Sequence, residues 1–209
     1  MKWDELLEIV GREPVFHSGL LRSGPVDTVD LGRQLSRWVG AGKLVQIRRG
    51  LYALAGRYQK SPPHPFALAQ RIKRASYVSL QTALSHYGLI PEFVPAVFSV
   101  TTGRPETLSS SLGDFIFRHV KKEMFFGYES AAIGDGQDMF IAVAEKALLD
   151  LLYLTPDADD PDYLRELRLQ NTDRLNRERL RDLSRRTRSA KVIRAVERLN
   201  DLIFAGENR

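Results

Sequence analysis

The sequence predicts an α+β protein: a small helical unit closed by a hairpin, then a larger mixed α/β domain with a helical C-terminus. Three observations predict it. Residues 43–54 read as two short strands about a tight turn. Val45 and Ile47 alternate with Gln46 and Arg48, and an apolar run resumes after Gly50. The residues before the hairpin carry short helical patterns, and a hairpin this small needs something packed beneath it. Beyond residue 66, strand and helix patterns come in runs with no strict βαβ alternation. Helices followed by a basic hairpin imply a winged helix-turn-helix. The predicted organisation is a winged helix over residues 1–57, a Pro-rich linker over 58–65, and the α+β domain over 66–209.

In the first helix Leu6, Leu7 and Val10 share one face, and Gly11 and Pro14 stop the run. Residues 15–18 lead into a second short helix holding Leu20 and Leu21, and Ser23, Gly24 and Pro25 make a turn. The spacing predicts a third helix over 28–41, capped by Asp27 or Thr28, with Asp30 in its first turn. Leu31, Leu35, Trp38 and Val39 form its buried stripe. Gly40 and Gly42 end it.

The opposite face of that helix carries Arg33, Gln34, Ser36 and Arg37, side chains able to bond base edges in a major groove. Arg48 and Arg49 lie at the hairpin tip, suited to phosphate or the minor groove. The expected DNA contacts are Thr28, Arg33, Gln34, Ser36, Arg37, Lys43, Arg48, Arg49 and Tyr52. Each signal also has a plain structural reading, since any surface helix or hairpin tip can be basic. Their order and close spacing favour nucleic acid.

The larger domain opens with a helix from Phe66 to Arg74. Ser79 is placed to cap a helix bearing Leu80, Ala83, Leu84 and Tyr87, with Gly88 in the left-handed terminal position and Pro91 as the stop. Residues 96–102, 115–120 and 127–133 read as strands, and 134–137 as a turn. Residues 139–154 read as one apolar helix and 155–161 as an acidic loop. In the last helix Val192, Val196, Leu199 and Ile203 form the inner stripe, with Lys191, Arg194 and Arg198 outward.

Charge is unevenly spread. Residues 1–60 hold ten Lys/Arg against six Asp/Glu, and residues 165–198 hold twelve against five, while 136–164 hold one against seven. Two basic regions therefore flank an acidic middle, and basic patches attract phosphate. Arg185, Arg186 and Arg188 are a second candidate DNA contact outside the winged helix. Interleaved Glu178 and Asp182 point equally to ion pairs along a helix surface.

Little else in the sequence marks chemistry. The chain has no cysteine, so it has no disulfide and no cysteine-based zinc site. An acidic N-terminus and the lack of a long apolar run imply a cytoplasmic protein with no membrane partner. His17, His64, His86 and His119 show no ligand spacing, and the acids at 157–162 lack the glycine and distal glutamate of a calcium loop. Glu145 and Lys146, adjacent in an apolar helix, suggest a partly buried ion pair or a cap. No catalytic residue, metal site or cofactor is expected. A nucleic-acid-processing enzyme using the winged helix for substrate delivery, or a protein-interaction module, are the alternatives.

Five blocks in order resemble the AbiEi-like antitoxins and transcriptional regulators of type IV (AbiE) toxin–antitoxin phage-defence systems. They are residues 48–53 (Arg-Arg-Gly-Leu-Tyr-Ala), residues 77–91 from Tyr77 through Ser79 and Gly88 to Pro91, and residues 98–102. The last two are residues 125–127 (Phe-Phe-Gly) and 144–150 (Ala-Glu-Lys-Ala-Leu-Leu-Asp). The likeness weakens after about residue 165. The resemblance implies a winged helix that represses its own operon by binding inverted repeats in the promoter. It implies a C-terminal domain that counteracts a nucleotidyltransferase-like toxin without a stable complex. The expected assembly is a monomer in solution or a dimer on DNA.

Overall fold

The structure, a computed structural model, describes residues 1–22 and 28–204, without the side chains of Arg22, Thr28, Ile203 and Phe204. The turn expected at Ser23, Gly24 and Pro25, the cap at Asp27 or the Thr28 side chain, and the stripe position Ile203 lie outside the described residues. The fold is α+β.

The N-terminal unit runs α1 (Trp3–Val10), β1 (Phe16–His17), a 3-10 turn (Ser18–Arg22), α2 (Thr28–Gly40), β2 (Leu44–Arg48) and β3 (Leu51–Leu54). Residues 15–18 lead into the short helical turn that holds Leu20 and Leu21, and on the way Phe16 and His17 form a short strand, pairing with Tyr52 and Leu51, which places β3 in the middle of a three-stranded sheet. Their backbone bonds go to a neighbouring strand, a partner that local helical spacing cannot reveal.

Strand β3 is buried at all four positions, so both of its faces are covered. Tyr52 and Leu54 point into a core with Leu6, Leu21, Leu31, Leu35 and Trp38. Leu51 and Ala53 point the other way, into the larger core, together with Val15 and Ile47. Ile47 lies on the same side of β2 as Val45, toward that second core, and the register of the pair shifts between Gln46 and Arg48. The two units therefore share apolar packing rather than hanging on a free tether.

The expected linker is held as well. A short 3-10 turn spans Gly56–Tyr58. Gln137 then clamps the segment after it. Its Nε2 donates to Ser61 Oγ (3.2 Å) and Pro62 O (2.9 Å), and its Oε1 accepts from His64 N (2.9 Å).

The chain continues with α3 (Pro65–Ile72), with proline in its first turn and the His64 ring accepting from Phe66 N. Next come β4 (Ser76–Val78), α4 (Leu80–His86), β5 (Ala96–Thr101), β6 (Glu106–Ser110), β7 (Gly113–His119), β8 (Tyr128–Ala132) and β9 (Asp138–Ala142). The C-terminal part is helical: α5 (Ala144–Leu154), α6 (Pro161–Glu166), α7 (Arg177–Arg186) and α8 (Ala190–Phe204). The six strands form one mixed sheet in the order β6-β7-β5-β4-β9-β8. Helix α5 packs on α4, α7 and α8.

Residues 139–154 are not one helix. Met139 and Ile141 are buried and Phe140 is exposed, the period of a strand, and β9 pairs with β8 and, in parallel, with β4. The helix begins only at Ala144. Gly88, at φ +68°, closes α4 as expected, with Leu89 N donating to Leu84 O (2.8 Å). Among the described residues no helix is long and apolar enough to cross a membrane.

Candidate nucleic-acid interface

Helix α2 is two-faced. Leu31, Leu35 and Trp38 are buried, while Arg33, Ser36 and Arg37 are exposed and Gln34 is half-buried. Trp38 is held by Trp3, edge-on at 5.2 Å, which fixes the roll of the helix and thus which side chains face outward. Arg33 reaches Asp30 at 3.5 Å, with both side chains about 70% exposed, so the pair contributes little stability and leaves the guanidinium accessible. Lys43, just beyond the helix, lies over the Trp3 ring at 4.9 Å.

At the hairpin tip Gly50 takes φ +82°, and its carbonyl accepts from Ser18 N (2.9 Å). Arg49 is exposed. Its neighbour is not available in the same way. Arg48 turns back onto the end of α3 and onto β6, donating to Ile72 O (3.0 Å) and reaching Glu106 Oε1 (3.4 Å). Lys73 donates to the other oxygen of Glu106 at 2.8 Å. Hydrogen bonding from Lys73 first, then the charges of Lys73 and Arg48, hold the Glu106 carboxyl below its usual range against a burial effect of opposite sign. Stability from this cluster is thus present above the ordinary carboxylate pKa of about 4.3 and is lost as pH falls through the lowered value.

Two of the expected DNA contacts have partners within the fold. Arg48 is a brace between the units. Tyr52 lies in the core, stacked on Phe16 at 5.9 Å, because alternation in a covered central strand turns it away from solvent. Arg48→Ala is expected to lower unfolding stability by about 1–3 kcal/mol, since it strips a charged donor from a carbonyl and a carboxylate. Urea unfolding measures this, and an unchanged midpoint would remove the brace. Ile72, Lys73 and Glu106 carry no sequence signal for it. They lie 24 to 58 residues from Arg48, and only the fold joins them.

At the other basic region, Arg185, Arg186 and Arg188 are exposed. Arg185 lies 3.8 Å from Asp182, an ion pair along the helix surface. The Arg186 guanidinium stacks on the Phe126 ring at 4.2 Å, which orients it while leaving it exposed.

Beneath Phe126 lies a buried polar network. Lys146 and Asp150 are fully buried and pair with each other one helical turn apart on α5. Asp150 Oδ2 also accepts from Tyr77 OH (2.9 Å) and Ser79 Oγ (2.8 Å). Lys146 Nζ donates to Tyr77 OH (3.0 Å) and lies 4.9 Å from the centre of the Phe126 ring. Burial pushes the Lys146 ammonium down and the Asp150 carboxyl up, and their mutual attraction opposes both shifts. Burial likewise raises the Tyr77 phenol. Ser79 was expected to cap α4, but its hydroxyl is spent on Asp150. Glu145 does not pair with Lys146, because adjacent helix positions point apart. It accepts from Asn176 N (2.7 Å) at the start of α7.

Three of the blocks that carry the resemblance thus converge. Tyr77 and Ser79 come from β4 and its end, residues 125–127 from the approach to β8, and Lys146 and Asp150 from α5. Gly127, at φ +71°, lies so close that a Cβ there would sit 3.0 Å from Lys146 Cγ. Gly127→Ala is expected to cost about 2–4 kcal/mol through backbone strain and overpacking. A urea midpoint equal to that of the unsubstituted chain would refute this.

Among the described residues no three His, Asp or Glu side chains come together in a way that would hold a metal ion. In comparisons with known proteins, no family model matches the chain, and no curated protein matches it.

Proposed function

We propose that the chain is a DNA-binding regulator whose N-terminal unit, residues 1–57, is a winged helix-turn-helix. The observation that carries this reading is α2 itself. Its apolar stripe is packed away and its Arg33, Gln34, Ser36 and Arg37 face is turned outward, with the exposed Arg49 following at the hairpin tip. The order helix, strand, short helix, helix, hairpin supports the same reading. In this proposal α2 enters the major groove. Arg33, Gln34 and Arg37 read base edges, and Ser36, Thr28, Lys43 and Arg49 serve phosphate. Arg185, Arg186 and Arg188 extend the footprint. Arg48 and Tyr52 are left out.

More narrowly, we propose a repressor of the AbiEi antitoxin type, acting in the cytoplasm at inverted repeats in its own promoter. It would counteract a nucleotidyltransferase-like toxin without forming a stable complex with it. The five ordered sequence blocks support this, as does the meeting of three of them around Lys146 and Asp150. The chain acts by binding and not by catalysis. The test is fluorescence anisotropy of the purified chain against its own upstream DNA and a scrambled control. Preference for the upstream DNA is expected, with affinity falling as salt rises. Equal, salt-independent signals would end the DNA reading. Absence of a nucleotidyltransferase-like reading frame beside the gene would end the antitoxin reading alone.

A further inference from the structure

A basic band crosses one end of the six-stranded sheet. The parallel strands β5 and β7 finish side by side, with Thr101 paired to His119. The segments leaving them are tied together. His119 Nδ1 lies 2.8 Å from Gly103 O, and Val120 N donates to Thr101 O (2.9 Å). Arg104 follows Gly103 on one segment, and Arg118, Lys121 and Lys122 flank the other. All four are exposed, and none forms an ion pair among the described residues.

That separates them from most other surface cations of the chain. Arg165 reaches Asp162, Arg168 reaches Glu92, and Arg194 and Arg198 share Asp159, which is how a merely solvated charged face looks. The acids between residues 101 and 124 are Glu106, Asp114 and Glu123. Glu106 is spent, with one oxygen facing Arg48 and the other accepting from Lys73. Asp114 lies at the far end of β7, opposite Ala96. Glu123, exposed beside Lys122, is left as the one acid among the four cations. Arg74 shares a hollow with Asp138 and is not part of the band.

The band joins two basic regions that are far apart in sequence. The contact of Arg48 with Glu106 sets the hairpin tip, with its exposed Arg49, against the start of β6, two residues beyond Arg104. On the other side the chain runs from Lys122 to Phe126, whose ring carries the Arg186 guanidinium at 4.2 Å. Cations spread along a surface do not converge on one small anion. They match a row of phosphates, and duplex DNA presents one charge about every 1.7 Å of its axis.

We propose that this band is a second DNA-contacting surface. The duplex flanking the segment read by α2 lies across the sheet end, held by Arg104, Arg118, Lys121 and Lys122, and reaches Arg186. This rests on the DNA-binding proposal for the winged helix and widens the stretch of duplex that one chain covers. The contacts go to phosphate, so they add affinity whatever the flanking sequence.

Fluorescence anisotropy over a salt series tests this. The segment that the chain protects in its upstream DNA is placed in two duplexes, one trimmed to about one and a half helical turns and one extended with scrambled flanks to about four. The unsubstituted chain is expected to bind the extended duplex about tenfold or more tighter than the trimmed one. Combining Arg104→Ala, Arg118→Ala, Lys121→Ala and Lys122→Ala is expected to abolish that gain and to lower the salt dependence on the extended duplex by about three ions. The trimmed duplex is expected to bind as before, and an unchanged thermal midpoint is the control for folding. The smaller change Lys121→Gln with Lys122→Gln is expected to lower the salt dependence by about two ions. The proposal is overturned if the extended duplex gains nothing over the trimmed one, or if the fourfold variant keeps the gain and the salt dependence. The DNA-binding proposal then still stands if Arg33→Ala with Arg37→Ala weakens the trimmed duplex. Failure of the unsubstituted chain to bind either duplex ends both.

Discussion

Lys146→Met lowers the free energy of unfolding by about 3–5 kcal/mol. The substitution keeps the length of the side chain and removes only the charged end. It leaves Asp150 fully buried with two hydroxyl donors and no counterion. Tyr77 OH loses the donor at 3.0 Å, and the Phe126 ring loses the cation beneath it. Asp150→Leu is expected to be nearly as harmful, because it strands the ammonium instead. Replacing both together, Lys146→Met with Asp150→Leu, is expected to recover much of the loss, since a buried ion pair adds little over apolar packing of similar volume. Urea unfolding of the four chains gives the coupling energy directly. Additive single losses would mean that the pair does not act as a unit.

The second large effect concerns DNA. Arg33→Ala with Arg37→Ala is expected to weaken binding to the upstream DNA by about 2–4 kcal/mol, roughly 30- to 1,000-fold, and to reduce its preference over scrambled DNA. Both side chains are exposed on α2, so folding is expected to stay intact, and an unchanged thermal midpoint is the control. Arg49→Ala is expected to behave differently. It weakens all sequences alike and lowers the salt dependence by about one ion, as loss of one phosphate contact does. If the α2 double substitution leaves affinity and preference intact, α2 is not the reading element, whatever else the chain binds.

These contrasts follow from where each residue's partners lie. The buried stripe of α2 is local: four residues spaced by the helical repeat say which face is apolar, and therefore that Arg33 and Arg37 face out. The stop at Gly88 is equally local, because the left-handed turn is a property of one residue and its neighbours. The hairpin at 44–54 was legible for the same reason. Strand β9 was not, since Met139, Phe140 and Ile141 run directly into the apolar start of α5. Period two is distinguishable from period three and a half only over a longer run. Strands β4 and β1 are shorter still, three and two residues, and exist because neighbours pair with them.

From its sequence alone this protein is an α+β chain with a two-faced helix, a basic hairpin and a charge-rich helical end. These are properties of spacing and side-chain type within a few turns of chain. The tertiary structure decided which of the basic residues remain available. It spent Arg48 on Glu106 and Ile72, buried Tyr52 against Phe16, and gathered Lys146, Asp150, Tyr77 and Ser79 into one network. The reason is physical. A side chain's freedom depends on what the fold brings within hydrogen-bonding distance: the partners of Arg48 lie 24 and 58 residues away, and Tyr77, the second partner of Lys146, lies 69 away.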